Sequence, residues 1–362
     1  MTQSPAKSSK LPSFDWADPL LLSSQLSEDE RMAYDMAKRF ADEELLPGVL
    51  EANRNQTFDR AIYRKFGEAG FLGIALEGYG CPGGSAVMYG LVARAVESCD
   101  SAYRSAMSVQ SSLVMYPIHS YGTEDQKERF LPKLASGEFV GAFGLTEPDH
   151  GSDAGGLKTR AKKVDGGYVL NGAKMWISLA EVADHFLVFA SLDRSLKHRG
   201  LTAFVVERGM PGFTTGTIKG KLGVRAGNTG ELAFDNVRVP VENRIGEEGE
   251  GFKIAMSCID QGRFTVGAGA VGLTKACLDA SVRYSHERET FGVEIGRHQL
   301  VQQMIAKMSL GYETSWLLTA KAAELKNRGI RNTRETSMMK WHACDVALQS
   351  ADDAIQIHGA YG

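Results

Sequence analysis

The spacing of apolar residues changes twice along this chain, and this change constrains the fold more than any other feature of the sequence. Apolar residues first recur at helical spacing, as at Ala33, Ala37 and Phe40. Between about residues 141 and 246 the apolar runs become short, β-rich and separated by Gly, Asp and Asn. Long helical patterns then return from Phe252 onward. The order predicts a helical region, a compact β domain and a second helical region.

Local signals place the individual elements. Ser27–Glu30 and Thr123–Gln126 are capping boxes that open helices, and Pro47 falls close to the end of the first helical pattern. Asn171–Gly172 is a turn dipeptide between apolar runs, which predicts a turn there. The other predicted helices are 61–69, 86–97, 127–135, 252–288, 298–326 and 333–357, and the predicted strands include 186–190, 201–206 and 231–234.

These elements indicate an α+β fold that is mainly α. We predict a flexible N-terminal tail over 1–17, an N-terminal helical domain over 18–140, a central β domain over 141–247 and a C-terminal helical region over 248–362. No period of 20–50 residues recurs, so a repeat protein is not expected.

Composition excludes several classes of function. The 41 basic and 44 acidic side chains give a net charge of −3, so nucleic acid is not expected as a partner. No apolar run approaches the ~20 residues that span a bilayer. The five cysteines are widely spaced without a CxxC pair, which predicts reduced thiols rather than disulfides or a metal site. Residues 1–14 lack the hydrophobic core of a secretory signal and the Arg of a mitochondrial presequence.

Two short segments could contact a planar or phosphorylated cofactor. The run from Phe143 to Asp153 is a strand end that enters a Gly/Pro turn with two hydroxyls, although a plain surface turn would look the same. Trp176 lies near the Ser178 hydroxyl and could stack on a ring system, or it could be a core tryptophan. A Gly-x-Gly-x-x-Gly pattern at 267–272 lies inside a helical pattern, so it is not a dinucleotide fingerprint.

Six motifs in the right order extend a resemblance over the chain from about Asp18 to Gly362. They are Phe143-Gly-Leu-Thr-Glu-Pro, Gly151-Ser-Asp, Asn171-Gly-Ala-Lys-Met-Trp-Ile-Ser, Phe234-Asp-Asn-Val-Arg-Val-Pro, Glu287-Arg-Glu-Thr-Phe-Gly and Gln356-Ile-His-Gly-Ala-Tyr-Gly. Together they resemble the acyl-CoA dehydrogenase family. The resemblance implies a helical domain, a β-barrel-like domain and a C-terminal four-helix bundle, which would be incomplete here. It also implies a homotetramer with FAD, an acyl-CoA substrate and an electron-transfer flavoprotein as acceptor.

The same resemblance implies cofactor-binding roles for particular residues. Thr146 would bond the isoalloxazine edge, Trp176 would shield one flavin face, and Ser178, where many relatives have Thr, would bond flavin N5. Arg288 would reach the pyrophosphate of a neighbouring subunit's FAD. Ala360 and Tyr361 depart from the family's Gly-rich turn, which would alter its backbone contacts. The full cofactor set is Phe143, Leu145, Thr146, Ser152, Trp176, Ile177, Ser178, Arg288, Phe291, Gln299, Gln356, Gly359 and Ala360.

The segment around Arg104 points to the acyl group. An Arg in an apolar pocket favours an anion, and its planar fork matches a carboxylate. The segment from Tyr103 to Met115 resembles the glutaryl-CoA dehydrogenase subgroup, in which the Arg and a nearby Ser hold the distal carboxylate. The alternative is a salt bridge from Arg104 to Glu97 or Asp100 on a solvated face. The substrate set implied is Glu97, Arg104, Ser105, Ser108, Ser152, Asp260 and Arg263.

The catalytic base is not assigned within the chain. Proton abstraction next to a thioester needs a carboxylate, and one of the family's two positions for it is Gly262 here. The other follows the Gly-rich turn, so the base is expected beyond Gly362 in a longer enzyme. A flavin-binding subunit without catalysis and a desulfinase-like relative without a base are the other two explanations. Asp260 and Glu147 lie at the wrong motif positions for this role.

The sequence therefore predicts FAD-dependent α,β-dehydrogenation of a short acyl-CoA, with glutaryl-CoA and its decarboxylation to crotonyl-CoA as the leading case. A general short-chain dehydrogenase or an acyl-CoA oxidase are alternatives, because the segment Ser257–Phe264 looks more like the general enzymes. We expect a cytoplasmic bacterial protein, or a mitochondrial matrix or peroxisomal one in a eukaryote.

Overall fold

The computed structural model describes residues 18–362, so the predicted tail at 1–17 lies outside the described residues. Its architecture follows the predicted order of helices, strands and helices. Within residues 18–362, no helix is both long enough and apolar enough to cross a bilayer.

The N-terminal domain is helical, as predicted. Both capping boxes form, since Ser27 accepts from the Glu30 amide and Thr123 accepts from the Gln126 amide. The helices are α1 (Glu28–Phe40), α2 (Leu46–Asn55), α3 (Ile62–Glu68), α4 (Ala86–Glu97), α5 (Ser101–Ser108), α6 (Tyr116–Tyr121) and α7 (Glu124–Ala135), and a small hairpin joins β1 (Glu77–Gly78) to β2 (Cys81–Pro82).

Two wide π-helical segments interrupt this domain. One spans Ala41–Leu45 between α1 and α2, and the other spans Val109–Met115 between α5 and α6. Pro47, expected close to the end of the first helical pattern, lies instead in the first turn of α2, and the helical backbone runs past it from the π segment. π segments are frequent at functional sites, and the second one continues the helix that carries Arg104.

The central domain is one eight-stranded sheet in the order β10-β7-β6-β4-β5-β9-β8, with β3 parallel to β6. Its strands are β3 (Gly141–Gly144), β4 (Arg160–Val164), β5 (Gly167–Ser178), β6 (His185–Ser191), β7 (Leu201–Glu207), β8 (Phe213–Thr217), β9 (Thr229–Pro240) and β10 (Arg244–Ile245). β6 is buried along its whole length, as suits a strand at the centre of a sheet.

The predicted turn at Asn171–Gly172 is wrong. Both residues lie inside β5, where the register with β9 shifts between Leu170 and Gly172. Asn171 holds this irregularity by exchanging hydrogen bonds with Asn236 on β9. The Asn-Gly pair therefore forms a β-bulge, which uses the same conformational freedom of glycine as a hairpin turn.

The C-terminal region consists of α8 (Gly251–Glu287), α9 (Gln299–Asn327) and α10 (Thr333–His358), with a hairpin of β11 (Glu289–Thr290) and β12 (Val293–Glu294) between α8 and α9. Three long helices of the expected four lie in the described residues, and α4 packs against α8 and α9 beside them. Gly272 on α8 touches the backbone of Arg94 on α4, so the small residues of α8 let the two helices approach closely.

Candidate active site

Two strand ends bring the predicted flavin residues together. The Met175 amide donates to the carbonyl of Thr146 over 3.0 Å, so the segment after β3 lies against the end of β5. Phe143 is half-buried with its ring centroid 5.1 Å from that of Phe189, while Leu145 and Ile177 are buried in the core. Leu145 and Ile177 can therefore contact a flavin only with their backbone or the edge of the side chain.

Trp176 lies on the exposed side of this junction. Its φ is +62°, and the register with β9 shifts between Met175 and Ile177, so a second bulge turns this side chain out of the sheet. The indole is 56% exposed, which is unusual for so large an apolar ring. A non-glycine residue held at positive φ with an exposed aromatic ring fits a surface that a planar group covers.

The hydroxyls expected at the flavin edge are free to donate. Thr146 and Ser178 are half-buried, and neither hydroxyl has a hydrogen-bond partner among residues 18–362. Ser152 is exposed in the loop between β3 and β4. These donors beside an exposed Trp176 fit an isoalloxazine ring, which needs donors at its edge and an apolar wall on its face. FAD, when bound there, supplies the hydride acceptor.

A buried ion pair ties these two segments to each other, and sequence reasoning missed it. The Lys174 ammonium, fully buried, lies 2.8 Å from Glu147 Oε1 and donates to the Leu145 carbonyl over 3.1 Å. Glu147 also accepts from the amides of Lys158 at 2.5 Å and Thr159 at 2.9 Å. The signal in the sequence was that Lys174 stands in a predicted strand two residues before Trp176. This pattern does not distinguish a buried lysine from an exposed one.

Burial and pairing set the charges of this ion pair. Burial acts to raise the pKa of Glu147, but the Lys174 ammonium and the two backbone amides outweigh it, so that pKa lies below its usual value. Burial lowers the pKa of Lys174 to about 8, although Glu147 opposes the change. The lowered pKa makes Glu147 a weaker base than a free carboxylate, and its contacts give it a structural part in joining the two segments.

The predicted tail-binding residues form a second cluster. Arg104 and Glu97 are 8% and 5% exposed, and the Arg104 Nε donates to Glu97 Oε2. The Arg104 Nη1 donates to Ser108 Oγ over 3.1 Å, one helical turn along α5. Nη2 has no hydrogen-bond partner among the described residues. The salt bridge to Glu97 therefore exists, but it is buried rather than on a solvated face.

Neighbouring helices close around this cluster. Gly269 of α8 faces this pair so closely that a Cβ would collide with the Glu97 carboxylate and stand in tight contact, 3.0 Å, with Arg104 Nε. Glu97 also accepts a hydrogen bond from Ser101 over 2.5 Å. Ser105, the residue after Arg104 on α5, is half-buried. It joins the cluster through its backbone carbonyl, which accepts a hydrogen bond from the Ser108 hydroxyl.

The π segment connects the two clusters. Gln110 accepts from the Gly141 amide at the start of β3 over 2.7 Å, and Val114 packs on the same glycine. On its other side, Leu113 lies against Gly262 of α8 at 3.2 Å from where a Cβ would stand. The π segment therefore runs between β3, which leads to Thr146, and Gly262 of α8, the position at which a carboxylate was expected.

Asp260, the other carboxylate considered for the role of base, is already engaged. Asp260 pairs with Arg263 on the same helix and accepts from Thr333 over 3.1 Å at the start of α10. Arg263 is half-buried. Its ion pair with Asp260 keeps these two predicted substrate contacts next to each other. Within residues 18–362 no carboxylate takes the place of Gly262, and the prediction of a base beyond Gly362 stays a prediction.

The last group of predicted cofactor residues lies at the other end of the bundle. Arg288 is exposed after the C-terminus of α8, Phe291 is 97% exposed at a φ of +54°, and Gln299 is exposed at the start of α9. Gln356, Gly359 and Ala360 are exposed at the end of α10, where His358 stacks on Tyr284 of α8 with centroids 4.4 Å apart. At 1.5 Å per residue, α8 holds this group about 40 Å from Asp260.

Family models match each part of the chain. "Acyl-CoA dehydrogenase, N-terminal domain" matches residues 27–138, the middle-domain model matches 142–237 and the C-terminal-domain model matches 249–362. An acyl-CoA dehydrogenase of Bacillus subtilis is 39% identical over 338 residues, which are 93% of this chain and 89% of that protein.

Solved structures agree in fold and in sequence. Glutaryl-CoA dehydrogenase of Mycobacterium smegmatis in complex with FADH2 has a TM-score of 0.90 at 36% identity, covering 94% of this chain and 86% of that one. Butyryl-CoA dehydrogenase of Megasphaera elsdenii has a TM-score of 0.90 at 38% identity, covering 93% and 89%. FAD, the cofactor predicted from the motifs, is the cofactor of this family. The chain belongs to the acyl-CoA dehydrogenase family.

Proposed function

We propose that this acyl-CoA dehydrogenase oxidises a short acyl-CoA that ends in a carboxylate, with glutaryl-CoA as the substrate. The observation that carries the proposal is the buried guanidinium of Arg104, which Glu97 and Ser108 hold on two of its nitrogens. A solvated salt bridge would need no such burial, and burying an arginine is costly unless its donors are used.

The geometry supports recognition of a carboxylate. Glu97 fixes Nε, so Arg104 is held in one orientation before a ligand arrives, and Nη2 has no other partner in residues 18–362. The Ser108 hydroxyl accepts from Nη1 and donates to the Ser105 carbonyl over 3.2 Å, and to bind a second carboxylate oxygen it would exchange that carbonyl for the ligand. A guanidinium with a hydroxyl beside it matches the two oxygens of a terminal carboxylate.

Other residues of the site orient the reacting end of the substrate. Thr146 and Ser178 would donate to the flavin edge, and Trp176 would cover one face of the ring and keep water from it. Asp260, Arg263 and Ser152 would contact the coenzyme A part. The group that removes the Cα proton is not assigned in the described residues.

A general short-chain activity is the second candidate. Butyryl-CoA dehydrogenase of Megasphaera elsdenii resembles this chain as well as the glutaryl-CoA enzyme does. In addition, the part of α8 from Ser257 to Phe264 looks more like the general enzymes. Arg104 would then be only a structural partner of Glu97.

Comparing a charged with an uncharged acyl group separates the two candidates. We expect Arg104→Gln combined with Glu97→Gln, which leaves no buried charge unpaired, to lower kcat/KM for glutaryl-CoA about 100-fold or more, since charge-assisted bonds contribute about 1.5–3 kcal/mol each. Butyryl-CoA should change less than about threefold.

Ser108→Ala is the milder variant, because it removes one hydroxyl and no charge. It should lower kcat/KM for glutaryl-CoA about fivefold to tenfold, since one hydrogen bond to a charged group is lost. Equal losses for both substrates in the two variants would contradict the carboxylate site. Anaerobic bleaching of the flavin absorbance by neither substrate would contradict dehydrogenation itself.

We also infer that the active protein is an oligomer of this chain, with electron-transfer flavoprotein as acceptor. Arg288, Phe291 and Gln299 lie beyond the far end of α8, about 40 Å along the helix from Asp260, which would contact the coenzyme A of this chain's own site. They would therefore reach the FAD of another copy. Exposed apolar side chains on α10 support the same inference.

A further inference from the structure

A cavity of about 920 Å³ lies beside the end of α9, outside both clusters of the candidate active site. Residues 73–76 and 83–86 of the N-terminal domain line one side, and the end of α9 with its connection to α10 lines the other. The Ala86 amide donates to Asn327 Oδ1 over 2.6 Å and ties these two sides together. We call it the α9 cavity, and its volume is in the range of sites that hold small organic ligands.

The charge in the α9 cavity is positive. Lys326 near the end of α9 and the exposed Arg331 line it, and no Asp or Glu among residues 18–362 does. The Lys326 ammonium donates to Gln261 Oε1 over 3.1 Å and lies 5.5 Å from the centre of the Phe264 ring, so its close partners in that range are neutral. Withdrawing an ammonium group from water without a counter-ion is costly, and an anion beside it would recover part of that cost.

Buried hydroxyl groups supply further donors. Tyr89, Ser111 and Ser112 are buried and line the cavity. The Tyr89 and Ser112 oxygens lie 2.8 Å apart and share one hydrogen bond, while Ser111 accepts from the Gly73 amide over 3.0 Å. These bonds use fewer protons than the three hydroxyls have, so at least one proton is left for a ligand.

The π segment separates this cavity from the acyl site. Ser111 and Ser112 line the cavity, whereas Leu113, the next residue, lies against Gly262 of α8. Arg104 does not line the cavity. A ligand in the cavity would therefore not occupy the position proposed for the acyl tail.

We propose that the α9 cavity binds an organic carboxylate that carries an apolar ring or a short apolar chain. The carboxylate would lie at the Lys326 ammonium, with the hydroxyl groups as further donors. Ile74, Leu76 and Phe264 are buried and line the same cavity, which suits an apolar body. Inorganic phosphate would leave these apolar side chains without contacts, so it should bind more weakly. Binding at this place does not depend on the acyl-CoA function proposed above.

Calorimetric titration of the FAD-loaded protein with 2-naphthoate tests the site without any turnover. The alcohol 2-naphthylmethanol has the same ring system without the charge, and it should bind at least about tenfold more weakly. We expect Lys326→Met to raise the Kd of 2-naphthoate about tenfold or more, and Tyr89→Phe combined with Ser112→Ala to raise it about threefold. Lys307→Met is the matched control, because Lys307 is an exposed lysine of α9 that does not line the cavity, and it should leave the Kd unchanged.

Lys326 also gives the binding a pH signature. Burial lowers the pKa of Lys326 to about 8, although the Asp260 carboxylate opposes the change. Above about pH 8 the amine must take up a proton before it can bind an anion, so the Kd of 2-naphthoate should rise as the pH is raised from 7 to 9.5. Lys326→Arg keeps its charge over this range and should remove the dependence. The other ionisable groups around the cavity, Asp260, Arg331, His119 and Tyr89, stay in place in that variant.

Two further titrations decide whether the cavity is separate from the acyl site. The Kd of 2-naphthoate should be the same in Arg104→Gln combined with Glu97→Gln, and the same in the presence of saturating coenzyme A. Loss of binding in that double variant would assign the ligand to the acyl cluster, and competition by coenzyme A would assign the cavity to the path of the substrate. Either result would overturn the proposal, and so would equal affinity for 2-naphthylmethanol or inorganic phosphate, or no binding to the parent protein.

Discussion

Lys174 and Glu147 place a full ion pair between the two segments that carry Thr146 and Trp176. The bonds from Lys174 to the Leu145 carbonyl and from the Thr159 amide to Glu147 mean that this pair holds three separate stretches of backbone. A buried pair of this kind contributes geometry more than net stability. Its role here is to keep the exposed indole and the free hydroxyls in register.

Removing one member of the pair should therefore cost more than removing both. We expect Lys174→Met to lower the free energy of unfolding by about 3–5 kcal/mol, because it leaves the Glu147 carboxylate buried without its counter-ion. Lys174→Met with Glu147→Gln should recover at least half of that loss. Urea unfolding of the FAD-loaded protein measures both, and a double variant as unstable as the single one would contradict the argument.

A substitution at Gly269 is the second change whose effect on activity can be predicted. A methyl group at this position would overlap the Glu97 carboxylate, which holds Arg104 Nε, and would crowd Nε itself. We expect Gly269→Ala to lower kcat/KM for glutaryl-CoA tenfold or more while butyryl-CoA changes little, since the guanidinium must move. Equal effects on the two substrates would show that Arg104 does not contact the acyl group.

At the scale of elements, close helix contact at Gly272 sets the distance between α4 and α8. A Cβ there would collide with the Arg94 carbonyl of α4, and backbone cannot move aside cheaply. We expect Gly272→Ala to lower the free energy of unfolding by about 2–4 kcal/mol.

Gly48→Ala is the matched control for Gly272→Ala. Gly48 also lies in a helix, α2, but nothing stands within 4 Å of the added methyl group. It should stabilise the protein by about 0.4–1 kcal/mol, because alanine has less freedom to lose on folding. Chemical unfolding measures both variants, and a similar sign for the two would contradict the close-contact argument.

The elements also show what a sequence can and cannot indicate. The two capping boxes and the long helices follow from local spacing, and they are found as predicted. Asn171–Gly172 has a strong local preference for a turn, but pairing with β9 makes it a bulge inside a strand. Pro47 is typical of a helix boundary, but the helical backbone continues past it from a π segment. The contacts of Lys174 and Gly269 join positions distant in sequence, so no local pattern could reveal them.

Across the whole molecule, the face of α10 that points away from α8 is apolar. Met338, Trp341, Leu348 and Ile355 are between 55% and 70% exposed and recur at intervals of three or seven residues, which places them on one side of the helix. Such a stripe on a surface helix is typical of an interface between subunits. We infer that a second copy of the chain covers it.

Trp341→Glu should then dissociate the oligomer, because it places a charge at the centre of the apolar stripe. We expect light scattering to show a smaller mass than for the parent protein. Thr214→Glu, an exposed position on β8, introduces the same charge elsewhere and should leave the mass unchanged. A monomeric parent protein, or a Trp341 variant of unchanged mass, would contradict the inference.

The glycine at 269 also has a consequence for how such enzymes diversify. In the function proposed above, the side chains that would bind the acyl tail come from the N-terminal domain, and the room they need is left by a glycine in the C-terminal bundle. An exchange of whole domains between two relatives would therefore succeed only when the recipient bundle has no side chain at that position. On the proposed function, substrate preference depends on two distant parts of the gene, and a single change at Gly269, which does not itself contact the acyl tail, would be enough to weaken it.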